Sequence, residues 1–176
     1  MTDRKIAIKN RRASAGVTLM ELIIVVAVVA VVMLVAVPNM RSFVLDSRMS
    51  TVANDLSASI RLARSKAVAV NRDVIFQPKS DNWKDGWRSF VDQNANGNFD
   101  SGTDLEIEDY TGKGEFAASG TGASGTITFK SSGLPATLNP WPGPVVFCDD
   151  KGRGREIYVN STGATRVVKV EADCAT

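Results

Sequence analysis

Four sets of residues in this chain have types and spacing suited to chemistry. Glu21 is a lone carboxylate at the front edge of sixteen uninterrupted apolar residues, Leu22–Val37. A charge at membrane depth is costly and calls for a partner. Asp92, Asn94, Asn96 and Gly97 reproduce the first half of a calcium-loop pattern, D-x-[DN]-x-[DN]-G, with Asp100 as a later oxygen ligand. Lys151, Arg153, Arg155, Arg166 and Lys169 are opposed only by Glu156, and Gly152 and Gly154 between them leave backbone open to an approaching phosphate. Cys148 and Cys174 are the only thiols.

Each set also has a plainer reading. A cut between Gly16 and Val17 gives Glu21 its partner, because the new α-amine then lies four residues earlier, one helical turn away on the same face. Without the cut, Glu21 is a headgroup-zone carboxylate. Position twelve of the calcium loop is Thr103 instead of a bidentate Glu, and Asn, Asp and Gly build tight turns unaided, so turn and ion site both stay open. The basic stretch is bordered by Asp149, Asp150, Glu171 and Asp173, which leaves a solvated face and a nucleic-acid contact as alternatives. Catalysis has little to stand on, since the chain has no histidine, no G-x-S-x-G, no phosphate loop and no dinucleotide fingerprint. Glu106 and Glu108 share one face of an expected strand as its solvent side. The chain reads as a non-enzyme with no cofactor, calcium being the one ion under consideration.

These groups must be positioned by three kinds of segment. Residues 1–16 carry +4 of the chain's net +2, leaving −2 for the rest. A basic leader running into an apolar stretch is an export signal that keeps its own end cytoplasmic and sends the remainder outward. The apolar stretch, extended back to Val17, is about the ~20 residues that cross a bilayer as a helix. Beyond Pro38, Met49, Val52, Ala53, Leu56, Ile60, Ala63, Ala67 and Val70 recur at three- and four-residue steps, with Arg48, Asp55, Ser59 and Lys66 on the other face, which predicts an amphipathic helix to about Val70. After Asn71, seven β-branched or aromatic runs separated by Gly, Ser, Asn and Pro predict an antiparallel sheet or small sandwich on the helix's apolar stripe. Residues 111–125 are rich in Gly and Ser and read as an exposed loop. Cys148 and Cys174 fall in this head, and in an oxidising compartment the two should pair. That would close a loop of about 27 residues and stabilise the head by about 3–4 kcal/mol.

The segment "AGVTLMELIIVV" closely resembles the type IV prepilin signature: a short basic leader ending in Gly, a hydroxyl residue near the cut, and Glu as fifth residue of the mature chain. The resemblance implies removal of the leader by prepilin peptidase after Gly16, methylation of the Val17 amine, and a role for Glu21 in guiding subunits into a helical fibre. Val17 stands where the family usually has Phe. Pro38 matches a position where pilin helices are kinked or unwound, as an interior Pro removes a helix hydrogen bond. The order of the head, "DNWKDGWRSFVDQNANGNFD" and then "FCDDKGRGREIYVNSTGATRVV", is similar to the GspH/FimT group of minor pilins and pseudopilins.

That resemblance implies an α+β pilin fold in four parts: leader 1–16, membrane or fibre-core helix 17–38, amphipathic helix 39–70 and β-rich head 71–176. It implies single-pass anchoring in a bacterial inner membrane with a periplasmic head, then extracellular assembly with other pilins and minor pilins, the head at or near the fibre tip. FimT members are implicated in DNA capture during natural transformation through a G-R-x-R motif after the penultimate strand, which implies double-stranded DNA as a further partner. Here Gly163-Ala164-Thr165-Arg166 keeps only the second Arg, and Gly152-Arg153-Gly154-Arg155 has the letters but precedes the expected strand. The alternatives are a GspH-type pseudopilin of type II secretion and an anchored binding domain that never polymerises. The cysteine pair favours the pilus side, because secretion members generally lack it.

Overall fold

The computed structural model of the protein describes residues 16–80, 82–114, 116–119, 125–137, 143–149 and 151–171. It divides after Ser42 into two compact units. The helix α1, Leu19–Val70, contributes to both.

In the first unit α1 begins two residues later than the sequence predicts, because Thr18 caps it. From Leu19 to Leu34 its large apolar side chains are exposed all round. A helix that is apolar on every face is built to be buried by something else. No helix among the described residues is long and apolar enough to cross a membrane. The side chains of Val35 and Val37 to Asn39 lie outside the description, so the described apolar run is Leu22–Leu34, short of the ~20 residues of a span. The backbone is helical through Pro38, without the local unwinding that the resemblance allows.

In the second unit the expected stripe is the core face of α1: Met49, Ala53, Leu56, Ile60, Ala63 and Ala67 are fully buried. The stripe stops there, for Val70 is exposed, while Ser59, expected on the solvent face, is buried and donates to Glu108 Oε1 at 2.9 Å. Asn71 ends the helix in a left-handed conformation (φ 51°), with its N–H on the Val68 carbonyl at 3.3 Å and the Arg72 N–H on the Ala67 carbonyl at 3.2 Å. This is the paired closure by which Gly or Asn stops a helix.

Among the described residues eight strands follow, one more than the sequence predicts. They are β1 (Val74–Lys79), β2 (Asn82–Val91), β3 (Leu105–Thr111), β4 (Ala117–Ser119), β5 (Ile127–Phe129), β6 (Val145–Cys148), β7 (Arg153–Val159) and β8 (Thr165–Glu171). They form two antiparallel four-stranded sheets, β3-β2-β1-β5 and β4-β6-β7-β8. The extra strand corrects the loop expected over 111–125. Ala117, Ala118 and Ser119 pair with Cys148, Phe147 and Val146, and Phe116 beside them is buried.

Both sheets and α1 share one core, in which Phe76, Trp87, Phe129, Phe147 and Ile157 meet the helical stripe. Each such side chain contributes about 1.5–3 kcal/mol by leaving water. Trp87 and its cross-strand partner Tyr110 stack in parallel, ring centroids 3.9 Å apart. Just before this pair, Gly86 has φ +109°, and a Cβ there would run into the Tyr110 carbonyl, so only glycine lets β2 pass β3 this closely.

Candidate functional site

The N-terminal site is built by one hydrogen bond. Gly16, Val17 and Thr18 precede the helix and are exposed. Thr18 Oγ1 accepts the Glu21 N–H at 3.2 Å, and the first helical rung is the Leu22 N–H on the Thr18 carbonyl at 3.1 Å. Thr18 is therefore the N-cap and Glu21 the third helical residue, the spacing of a capping box. Glu21 is exposed, and its carboxylate in the first turn also suits the positive end of the helix dipole. Around Gly16 nothing lies within 4 Å of where a Cβ would stand. The packing of the described residues therefore does not demand glycine there. The cap is a structural feature that the motif did not at first suggest, although Thr-x-x-Glu before an apolar run signals it.

The basic stretch separates into two groups. Arg155 lies inside β7 and is buried: its Nη2 donates to Asp46 Oδ1 at 2.8 Å and to Ser50 Oγ at 3.0 Å on α1. Arg153 is held by Asp149, Nε to Oδ2 at 2.8 Å. Gly154 is a buried strand residue, which corrects the expectation of an open backbone before the strand. Lys151, Arg166 and Lys169 remain exposed. The Arg166 guanidinium lies over the ring of Tyr158, 5.9 Å from its centroid, at a groove of about 520 Å³ shared with Asn160, Ala164 and Thr165. Glu156 accepts the Tyr158 hydroxyl at 2.7 Å and pushes its pKa up. Thr165 is tied to α1, taking a hydrogen bond from Arg61 at 3.0 Å and sharing one with Ser57. Gly163 (φ +76°) packs under Phe129, so this glycine serves the turn between β7 and β8.

Asp149 carries a pH signature. Its burial raises the pKa, but the Arg153 N–H and guanidinium and the Lys151 N–H more than reverse this, and the net shift is downward. Asp109 is also lowered, chiefly by the Lys79 hydrogen bond and, against its burial, by the charges of Lys79 and Arg88. A carboxylate depressed in the folded state stabilises above its unfolded pKa of ~3.9 and loses that contribution as pH falls through the lower folded value. With no histidine in the chain, thermal melts are expected to change little between about pH 5 and 8 and to fall steeply below about pH 4. Asp149→Asn should flatten the acid limb.

The Asp92–Asp104 loop closes on itself. Asp100 Oδ2 accepts the amides of Asn94 at 2.8 Å and Asn96 at 2.5 Å, and Asp92 Oδ2 accepts the Gly97 N–H at 2.7 Å. Asp104 accepts the N–H groups of Gln93 and Asp100, and Phe99 anchors the loop edge-on against Phe90. Among the described residues no group of three or more His, Cys, Asp or Glu is placed to hold a metal ion. As a turn alone, the loop is expected to leave the melting temperature unchanged when calcium is added; a calcium-dependent rise would support the ion-site reading. Cys148, on β6, is buried, and no described cysteine is a free thiol. Cys174 lies outside the described residues. Glu106 and Glu108 are on β3, where Glu108 is half-buried against Ser59.

Comparison with known proteins adds three findings. Residues 52–163 match the family model described as type II transport protein GspH. The fold is similar to that of the type IV minor pilin FimU of Pseudomonas aeruginosa in two crystal forms. One gives a TM-score of 0.59 at 20% identity, covering 74% of this chain and 98% of that one; the other gives 0.56 at 21%, covering 70% and 98%. No curated protein matches the chain.

Proposed function

The chain belongs to the GspH family, with the α+β fold of a type IV minor pilin or pseudopilin, and from that premise we propose that it is a minor pilin subunit. Leader removal after Gly16 and methylation of the Val17 amine release a helix that joins other pilins in a fibre. The observation that supports this most directly is the helix from Leu19 to Leu34, apolar on every face and exposed, with Glu21 in its first turn. Until assembly the inner membrane covers that surface; in the fibre neighbouring helices do. The Glu21 carboxylate meets the new amine of its own or an adjacent chain. A Cys148–Cys174 disulfide ties the chain's end to β6 and keeps the reading on the pilus side, with a type II secretion pseudopilin as the alternative. The role is structural and not enzymatic.

The test is coexpression of the full chain with a prepilin peptidase, followed by intact mass. A product lacking residues 1–16 and carrying one methyl group is expected, and retention of the leader counts against the proposal.

A second reading, contact with double-stranded DNA, is favoured by the exposed Lys151, Arg166 and Lys169, of which Arg166 lines the Tyr158 groove. In a mobility-shift titration, replacing these three by Gln is expected to weaken binding several-fold and to make it less sensitive to salt. An unchanged shift removes DNA from these residues. Arg153 and Arg155 are left intact because their partners lie within the head.

A further inference from the structure

We propose that Thr18 is a positioning residue for leader removal: its hydroxyl ends the helix short of the Gly16–Val17 bond and keeps that peptide extended. The inference rests on the cleavage reading above and adds to it the device that exposes the bond. In an α-helix the N–H of residue i bonds to the carbonyl of i−4. The Glu21 N–H would then close a turn on the Val17 carbonyl. It donates instead to Thr18 Oγ1 at 3.2 Å, and the helix starts at Leu19 with the Leu22 N–H on the Thr18 carbonyl. The side chain thus takes the donor that would draw Val17 into the helix, and the Val17 carbonyl is released from that turn. Gly16 and Val17 stay outside the helix and exposed, with open space where a Gly16 Cβ would lie.

A peptide locked in helical turns cannot enter a protease cleft in the extended form that hydrolysis needs. When water adds across the Gly16–Val17 amide, the C–N bond breaks, a C–O bond forms at the Gly16 carbonyl, and the Val17 nitrogen takes up a proton as the new amine. All of these atoms lie on the open side of the cap. Without the cap the boundary is set only by weak preferences, and the apolar helix is free to grow back through Val17.

The test is the rate at which prepilin peptidase processes the full chain in detergent, across substitutions that separate capping from shape. Ser, Asn and Asp are good N-caps, whereas Ala and Val are poor ones. Thr18→Ser, Thr18→Asn and Thr18→Asp are expected to be cut at close to the wild-type kcat/KM, and Thr18→Ala and Thr18→Val about fivefold more slowly. Alongside, the Val17 carbonyl carbon shift should move toward helical values in Thr18→Val but not in Thr18→Asn. Equal rates for Thr18→Val and wild type overturn this inference alone, as do Thr18→Asn and Thr18→Asp chains as slow as Thr18→Ala, since the peptidase then reads side-chain shape. A wild-type chain that keeps its leader overturns the cleavage reading and this inference with it.

Discussion

Gly16→Asp is expected to abolish leader removal and fibre entry while leaving the head as stable as before. Gly16 has no left-handed φ and nothing within 4 Å of a Cβ position. The β-rich head has a core of its own, beginning on α1 at Met49. Any effect of the substitution must therefore come from outside the described packing, in the recognition that the cut requires. Intact mass reads the processing, sedimentation of sheared fibres reads the incorporation, and a thermal melt reads the head. The expected set is a full-length mass, no fibre signal and an unchanged melt. An uncleaved chain that still assembles to the wild-type level would sink the prepilin reading.

Arg155→Ala should be the most damaging charge deletion in the head. The side chain is 9% exposed and bridges β7 to α1 through Asp46 and Ser50, residues more than a hundred positions earlier. Removing one partner of a buried pair leaves the other charge without compensation, at a cost of 3–5 kcal/mol for a fully buried pair. Asp46 retains 32% exposure, so water recovers part of that cost, and about 3 kcal/mol is expected. For a head of this size that lowers Tm by roughly 10 °C. Lys169→Gln, on the cross-strand neighbour, is exposed and should stay within about 0.5 kcal/mol of wild type. Equal melts for the two variants would overturn the division of the basic stretch into buried and exposed members.

That division was not legible in the sequence, and the reason is physical. Charge counting treats Arg153, Arg155, Arg166 and Lys169 alike, whereas burial of an Arg depends on a carboxylate that only tertiary folding brings near. The stripe from Met49 to Ala67 was readable because 3.6-residue periodicity is local and the helix obeys it. The N-terminal signature is one short contiguous segment, so its resemblance was visible without the fold, and the processing it implies is what intact mass tests. β4 escaped because Ala117–Ser119 sit in a Gly/Ser-rich context with little strand propensity. Pairing with β6 supplies the strand there, a case of tertiary context overriding local preference. The close pass at Gly86 was not legible, since one glycine among fourteen carries no mark of its neighbour.

The Trp87–Tyr110 stack gives the head an optical signature. Two parallel rings with centroids 3.9 Å apart couple their transition dipoles, so near-ultraviolet circular dichroism should show a band that belongs to this pair alone and vanishes in Tyr110→Leu. Tyr110 lies close enough to pass its excitation to the indole, and Trp87, at 0% exposure, emits from a dry environment. As β3 detaches from β2, tyrosine emission should appear before the tryptophan band shifts to the red. The order of those two signals would time the opening of this edge of the sheet against the loss of the core.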